Sequence, residues 1–304
     1  MSALALGGAS LGGVYQHVSQ DEADEVVAAA LKSGINLIDV APYYGLTRAE
    51  KALGTALRGF KRDDYVLMTK VGRYGDKDWD FSREATLRSL DESQKRLGID
   101  HIDVLQCHDI EHGDLTQLLD EALPTLRDLK AEGRIGRIGV TGYDLALLEQ
   151  VALEQQVDTV MAYCTYTLQD RRLTEVAQRL NAAGINVFNA SPLGMGLLTA
   201  NGPPDWHPAH QRVRAAAAEA ARLCESRGED LSRLALQFAF QTAQESGFTS
   251  TVVGMSKASN LASNIEAMTT PFDPDLLKDV EKILTPVRDI GWDILPGDGG
   301  KAGR

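Results

Sequence analysis

Residues 115–141, LTQLLDEALPTLRDLKAEGRIGRIGVT, contain the unit that decides the fold of this chain. Its first part, Leu115–Glu132, has apolar residues at helical spacing and ends at Gly133, a residue typical of helix carboxyl ends. A short apolar run, Ile135–Thr141, follows at once and predicts a strand. A helix that passes through a glycine into a buried strand is half of the repeating unit of α/β proteins.

The same unit recurs along the chain. Short runs rich in valine, isoleucine and leucine alternate with longer segments of helical spacing, among them Asp21–Ser33, Ser82–Leu97 and Leu168–Ala183. Most of the short runs are continuously apolar, which is typical of parallel strands covered on both faces. Eight such strands predict an α/β fold, a closed (β/α)8 TIM barrel, rather than an open sheet. The predicted strands are Leu4–Gly8, Asn36–Val40, Tyr65–Val71, Ile102–Cys107, Ile135–Thr141, Thr159–Tyr163, Asn186–Ala190 and Ser250–Val253.

The domain organisation follows from the even composition. No compositional break and no serine- or proline-rich linker divides the sequence, so we predict one domain, residues 1–304. The longest irregular stretch, Ser191–His210, follows the seventh predicted strand. It would lie at the carboxyl ends of the strands, where barrels place their active sites, and long loops in such positions are more often functional than idle.

Composition and charge exclude several classes of protein. The 304 residues include 31 Lys+Arg against 43 Asp+Glu, a formal net charge of −12. Such a surface repels phosphate backbones and anionic membranes, which argues against nucleic-acid and membrane partners. The amino-terminal stretch MSALALGGASLGG lacks a basic flank and is too short for a signal peptide or a membrane span. The three cysteines, Cys107, Cys164 and Cys224, show neither a disulfide framework nor metal-ligand spacing, so we predict a cytoplasmic protein.

Polar side chains lie at or just beyond the ends of successive predicted strands. Asp39 ends the second strand, and Tyr43 and Tyr44 follow it in DVAPYYG. Lys70 comes near the end of the third strand in LMTKVGRY, and His108 follows the fourth in DVLQCHDIEH. Each has an ordinary explanation, since aspartate caps helices, lysine is solvated at strand ends and histidine makes structural hydrogen bonds. Together they would converge at one mouth of the barrel.

This combination predicts proton transfer at a carbonyl/alcohol pair. A lysine ammonium beside the hydroxyl of Tyr43 or Tyr44 would lower the pKa of that phenol from its usual value of about 10. Asp39 would hold Lys70 charged and in place, and His108 would orient the substrate oxygen. These groups supply no hydride, so we expect a cofactor to do so.

At these residues the chain resembles the aldo-keto reductase family over nearly its full length. The blocks DVAPYYG, with Lys70, then DVLQCH, NASPLGMGLLT and VVGMSKASNLASN occur in family order. Within the family, APYYG, GRY, CHDIEH and SPLGMGLLT…GPPDWHPA are most similar to L-galactose dehydrogenases and related aldose 1-dehydrogenases. The resemblance implies that Tyr44 is the general acid/base, that Lys70 and Asp39 tune it, and that His108 positions the substrate.

The resemblance also implies a nicotinamide cofactor, bound across the carboxyl-end face without a Rossmann motif. NADPH-specific members place an arginine where this chain has Asn260, and the nearby Lys257 lacks the two-pronged geometry of arginine. We therefore expect NAD rather than NADP. The expected cofactor-binding residues are Gly8, Ala9, Thr141, Tyr163, Ser191, Leu193, Met195, Gly254, Ser256, Lys257, Asn260 and Asn264.

Around the nicotinamide the chain departs from the family pattern. Ala190 replaces the usual stacking aromatic, Tyr163 replaces a glutamine, and Thr141-Gly142 replaces a Ser-Asn pair. Tyr163 is the alternative stacking surface.

These inferences predict an NAD-dependent aldose 1-dehydrogenase that forms the aldonolactone. L-galactose, or a sugar of matching stereochemistry such as L-fucose, is the expected substrate, whereas the oligomeric state is left open. Trp79 and Trp206, on predicted loops, are expected to contact the sugar together with Tyr44 and His108.

Three alternatives compete with this interpretation. Residues 107–112, CHDIEH, could hold a metal in a barrel hydrolase, although the first strand offers only Gly, Ala and Ser as further ligands. A channel-associated subunit of the family would bind nucleotide without being an enzyme, but all four catalytic positions are filled. An NADPH-dependent carbonyl reductase or a pyridoxal dehydrogenase would share the scaffold, and Asn260 argues against the first.

Overall fold

The computed structural model describes residues 1–14, 17–243 and 245–292. Within these residues eight parallel strands close into a barrel, and a short hairpin stands apart from it, so the predicted (β/α)8 fold is confirmed. The strands are β1 Leu4–Gly7, β2 Leu37–Asp39, β3 Val66–Val71, β4 Arg73–Gly75, β5 Asp78–Trp79, β6 Ile102–Cys107, β7 Ile135–Gly142, β8 Thr159–Tyr163, β9 Asn186–Ala190 and β10 Ser250–Gly254.

The strand order explains why the polar residues at the strand ends can meet. Around the barrel the order is β1-β10-β9-β8-β7-β6-β3-β2, and the ring closes because Leu6 pairs with both Val253 and Ile38. The antiparallel pair β4-β5 lies outside this ring. Because every barrel strand runs in the same direction, all their carboxyl ends lie at one end of the barrel.

Helices cover the outer face of the barrel. The first of them begins with a capping box, in which Ser19 Oγ accepts from Glu22 N and the Glu22 carboxylate accepts from Ser19 N. The helices are α1 Gln20–Lys32, α2 Arg48–Ala56, α3 Arg83–Leu97, α4 Leu115–Gln117, α5 Leu123–Ala131, α6 Leu145–Gln155, α7 Leu173–Ala182, α8 Gln211–Ser226, α9 Leu231–Gln241, α10 Ala258–Thr269 and α11 Pro274–Leu284.

Two predicted helices differ from those observed. The helix predicted at Leu115–Glu132 contains a π-helical turn, Leu118–Ala122, between α4 and α5. The helix predicted at Leu168–Ala183 begins only at Leu173, because Thr167 Oγ1 accepts from Gln169 N and Asp170 N and turns the chain instead. The remaining predicted bounds agree with the structure to within one or two residues.

The core has an inner and an outer layer. Side chains from the barrel strands fill the interior, with Met68, Met161 and Phe188 among the largest. The outer layer, between strands and helices, is much larger. Apolar side chains therefore fill the interior of the barrel, and polar side chains lie at the carboxyl ends of the strands. In the part of the chain that the structure describes, no helix is both long and apolar enough to cross a membrane.

Candidate active site

A cavity of about 1170 Å³ opens at the carboxyl ends of the strands. One of its walls is the loop between β9 and α8, which corresponds to the predicted irregular stretch Ser191–His210. Lining residues come from the ends of barrel strands all around the ring, and they include Gly7, Asp39, Lys70, His108, Thr141, Tyr163, Ala190 and Gly254.

A buried ion pair forms the floor of this cavity. Lys70 Nζ lies 2.7 Å from both carboxylate oxygens of Asp39 and 3.0 Å from the carbonyl oxygen of Val40. Gln106 Nε2 also donates to Asp39 Oδ1, at 3.3 Å. Burial raises the pKa of Asp39, and the ammonium of Lys70 opposes that shift. These contacts hold the cation of Lys70 at one place.

Tyr44 lies over this cation. Lys70 Nζ is 4.8 Å from the centre of the Tyr44 ring, and the His108 ring meets Tyr44 edge-on at 5.6 Å between ring centres. The turn behind Tyr44 needs a glycine, because Gly45 has φ 59° and a Cβ there would lie 2.2 Å from the carbonyl oxygen of Gly12. Leu46 also adopts a left-handed conformation, so this turn stores strain next to Tyr44.

The surroundings of His108 favour its neutral form. Burial is the main reason that its pKa is lowered to about 3; the carboxylate of Asp109 opposes this shift, and Lys70 and Arg73 add to it. His108 Nε2 is 3.7 Å from Asp109 Oδ2. A neutral imidazole can donate a hydrogen bond to a substrate oxygen without changing its own charge at neutral pH.

The structure thus brings all four predicted catalytic residues to one place. Asp39 and Lys70 form the buried pair, Tyr44 lies over it, and His108 packs against Tyr44. A phenol beside an ammonium and next to a neutral imidazole can exchange a proton with an alcohol or carbonyl oxygen in the cavity.

Sequence reasoning missed a second ion pair in the cavity. Arg73 donates to the carboxylate of Asp109, and both side chains line the cavity although they are almost fully buried. The signal was present, since Asp109 directly follows His108 and Arg73 lies in the quoted block LMTKVGRY.

Trp292 is a further cavity residue that was not predicted. Its ring stacks on Tyr143 at 4.3 Å between centres, and its backbone N–H donates to the Tyr143 hydroxyl at 3.0 Å. No local pattern marks Trp292, because it reaches the cavity only through contacts with residues far away in the sequence.

The two predicted sugar-contacting tryptophans differ in position. Trp206 lines the cavity and stacks on His207 at 6.1 Å between ring centres. Trp79 is not among the lining residues; it packs against the Arg73 guanidinium at 4.9 Å and the His112 ring at 5.4 Å. Trp79 therefore supports the wall of the cavity rather than forming it.

The predicted cofactor-binding residues divide into two groups. Gly8 packs outside the cavity, against the backbone of Asp39, and the residues around the start of α10 lie beyond its rim. The lining group is Ala9, Thr141, Tyr163, Ser191, Leu193, Met195 and Gly254, and the group outside is Gly8, Ser256, Lys257, Asn260 and Asn264.

The lining group fits an extended nucleotide. The cavity runs without interruption from Lys70 to Gly254, where an added Cβ would lie 2.9 Å from Ser10 Oγ, so the bare backbone of a glycine leaves room there. Ser191 and Met195 are held at φ 56° and 50°, a strain typical of loops that hold ligands. Tyr163 pairs in register with Ala190, both residues line the cavity, and the centre of the Tyr163 ring lies 5.6 Å from that of Tyr143.

The start of α10 explains the position of Asn260. Asn260 is exposed, and its Oδ1 accepts from Lys257 N at 3.1 Å and from Ser256 Oγ at 3.2 Å. Its side chain therefore caps the helix. Lys257 is exposed as well.

The metal-site alternative finds no ligand set in the structure. Among residues 1–14, 17–243 and 245–292, no group of three or more His, Cys, Asp and Glu side chains is arranged to hold a metal ion. In the CHDIEH segment, Asp109 instead pairs with Arg73, and Glu111 accepts from Tyr143 N at 2.7 Å.

Comparisons with known proteins show what this chain is similar to. Residues 3–285 match the model of the Aldo/keto reductase family. The chain is 40% identical over 302 residues to L-galactose dehydrogenase of Arabidopsis thaliana, an alignment covering 96% of this chain and 93% of that protein. It is 35% identical over 254 residues to D-arabinose 1-dehydrogenase of Saccharomyces cerevisiae, covering 79% and 75%. Among solved structures, the holo form of an aldo-keto reductase from Bacillus halodurans superimposes with a TM-score of 0.72 at 25% identity, over 93% of this chain and 92% of that chain.

Proposed function

This chain belongs to the aldo/keto reductase family, and on that premise we propose that it is an NAD-dependent aldose 1-dehydrogenase. Its substrate would be L-galactose, or a sugar of matching stereochemistry such as L-fucose, and its product the aldonolactone. The observation that carries the proposal is the buried Lys70–Asp39 pair beneath Tyr44, at the floor of a cavity that His108 also lines. The sugar dehydrogenases among the relatives support the choice of substrate class.

Tyr44 is the proposed general base. The ammonium of Lys70, 4.8 Å from the centre of its ring, stabilises Tyr44 as the phenolate. The phenolate accepts the proton of the anomeric hydroxyl and becomes the neutral phenol. Asp39 keeps Lys70 charged and in place through its two hydrogen bonds of 2.7 Å. The pair is almost fully buried, so this stabilisation is only weakly screened by water.

His108 is the proposed hydrogen-bond donor to the oxygen on C1. Its lowered pKa makes it a weak base, so it orients the sugar without taking the proton that Tyr44 removes. Holding C1 in a fixed place against the cofactor accounts for much of the expected acceleration. When bound, the nicotinamide accepts the hydride from C1.

The cofactor assignment rests on residues of the cavity and its rim. The face of Tyr163, beside the small Ala190, is the proposed surface for the nicotinamide. The strained loop with Ser191 and Met195 would wrap the pyrophosphate, and the region from Gly254 to Asn264 would hold the adenosine half. Asn260 offers no cation for a 2′-phosphate, which supports NAD over NADP.

The test is the formation of reduced nicotinamide, followed by its absorbance, with L-galactose, L-fucose and D-galactose, each with NAD and with NADP. We expect strong NADH formation with an L-sugar. No reaction with any of the sugars, together with consumption of NADPH on simple aldehydes, would refute the proposal and identify a general carbonyl reductase.

A further inference from the structure

A second buried ion pair lines the cavity next to the four residues above. The Arg73 guanidinium donates a hydrogen bond to the Asp109 carboxylate, and each residue is only 4% exposed. Arg73 follows β3, the strand that carries Lys70, and Asp109 directly follows His108. The pair therefore borders the place where a substrate would meet His108 and Tyr44.

Both members of the pair are held rigidly. Arg73 Cζ lies 3.8 Å from the centre of the Tyr43 ring and 4.9 Å from that of Trp79, so aromatic faces fix the planar guanidinium. Asp109 has φ 50°, and its backbone N–H donates to Thr141 Oγ1 at 3.1 Å. Groups that are already fixed lose little conformational entropy when they bind a ligand.

The proposed proton transfer does not use this pair. The transfer uses Tyr44, Lys70 and Asp39, with His108 as the hydrogen-bond donor, and none of its steps needs a second ion pair. Apolar residues of similar volume are often neutral or better for stability than a buried ion pair. Well-placed polar groups in the wall of a ligand cavity instead determine which ligand binds.

We propose that the Arg73–Asp109 pair recognises the hydroxyl groups of the sugar that do not react. This inference rests on the proposed aldose 1-dehydrogenase function and says what selects an aldose over a simple aldehyde. The guanidinium donates to hydroxyl oxygens and the carboxylate accepts from hydroxyl protons, so the pair matches two neighbouring hydroxyls of a sugar. A substrate that lacks them leaves the two charges desolvated without new partners, and its kcat/KM falls.

The test combines Arg73→Met with monodeoxy derivatives of the best aldose substrate. In the wild-type enzyme, loss of a recognised hydroxyl is expected to lower kcat/KM by about 10- to 100-fold. Arg73→Met is expected to lower kcat/KM for the parent sugar by a similar factor, mainly through KM. In this variant we expect kcat/KM for the deoxy sugar to be no lower than that for the parent sugar. That result would demonstrate energetic coupling between Arg73 and the missing hydroxyl.

Two further variants control for folding and for the loss of a buried charge. Arg73→Lys keeps the positive charge but not the planar, two-pronged guanidinium. We expect its ratio of kcat/KM for the deoxy sugar to kcat/KM for the parent sugar to lie between those of the wild type and Arg73→Met. If Arg73→Met does not fold, Arg73→Lys provides the test. Arg96→Met removes a different buried pair, with Glu50 at 2.6 Å, whose residues do not line this cavity. It is expected to lower the melting temperature and to leave the ratio of kcat/KM for the deoxy sugar to kcat/KM for the parent sugar unchanged.

The outcomes separate this inference from the function on which it rests. The wild-type enzyme could oxidise an aldose while Arg73→Met and Arg73→Lys show the same ratio of kcat/KM for the deoxy sugar to kcat/KM for the parent sugar as the wild type. That result would overturn hydroxyl recognition by the pair and leave the proposed function standing. If the wild-type enzyme with NAD neither oxidises an aldose nor binds one by calorimetry, the function fails and the inference fails with it.

Discussion

At the scale of single residues, the phenol of Tyr44 is the group on which the proposed chemistry depends. Tyr44→Phe keeps the ring that Lys70 and His108 contact and removes only the hydroxyl. We expect kcat to fall by about 10²- to 10⁴-fold, the usual contribution of general acid–base catalysis, while the affinity for NADH is retained. Steady-state kinetics and a fluorescence titration with NADH measure the two quantities.

The neighbouring tyrosine provides the control for that prediction. Tyr43 also lines the cavity, but its hydroxyl donates to Asp76 at 2.9 Å. Tyr43→Phe should leave kcat within about tenfold of the wild type, since a hydrogen bond of this kind contributes about 1 kcal/mol. Near-normal turnover of Tyr44→Phe would remove Tyr44 from the role of general base.

Cofactor preference is a second property that one residue is expected to change. Asn260→Arg places a guanidinium at the exposed start of α10, where it can pair with a 2′-phosphate. We expect the ratio of kcat/KM with NADP to kcat/KM with NAD to rise by about tenfold or more.

Ala262→Arg is the matched control for the cofactor prediction. It adds the same charge to α10 at another exposed position, two residues further on, and therefore on a different side of the helix. Equal ratios of kcat/KM with NADP to kcat/KM with NAD in Asn260→Arg and Ala262→Arg would contradict the proposal that position 260 faces the 2′ position of the cofactor.

At the scale of elements, the strands of the hairpin β4-β5 are anchored by Arg73 and Trp79, whereas its turn is attached to the site through Asp76. The Tyr43 hydroxyl donates to Asp76 in this hairpin, and Asp76 and Lys77 line the cavity. Asp76→Ala should loosen the hairpin, raising the KM for the sugar by about 2- to 10-fold with little change in kcat. Steady-state kinetics and hydrogen exchange of residues 73–79 measure both effects.

The same hairpin supplies the control variant. Asp78 is exposed and does not line the main cavity, so Asp78→Ala should leave both the KM and the hydrogen exchange of the hairpin unchanged. An Asp76→Ala enzyme indistinguishable from Asp78→Ala would show that the bond to Tyr43 does not hold the hairpin.

At the scale of the whole molecule, the barrel interior connects strands that are distant in sequence. Phe188 is fully buried there, in a cluster with Leu37, Met68, Val104 and Val252 from other strands. Phe188→Ala should lower the free energy of unfolding by about 3–5 kcal/mol. If the chain unfolds as one domain, the urea unfolding transitions followed by circular dichroism and by tryptophan fluorescence should coincide.

The half-buried Phe60, at the periphery of the outer layer, is the control for the interior. Phe60→Ala should lower the free energy of unfolding clearly less than Phe188→Ala does, because truncation at a site open to solvent leaves a smaller cavity. Similar losses at both sites, or two separate transitions in the wild type, would contradict a single barrel stabilised from its interior.

The sequence by itself determined the barrel, most strand bounds and the convergence of Asp39, Tyr44, Lys70 and His108. These features depend on local causes: apolar runs specify strands, helical spacing and glycines specify the connections, and parallel strands bring their carboxyl ends together. The family resemblance added the expected role of each residue, which remains to be tested by the variants above.

Only the tertiary structure decided what surrounds those four residues. It paired Arg73 with Asp109, placed Trp292 on Tyr143 in the cavity wall, and put Trp79 behind that wall. It also formed the hairpin β4-β5, whose strands of two and three residues are too short for a periodic signal. The physical reason is that such contacts join residues far apart along the chain, and their geometry exists only once the barrel has closed.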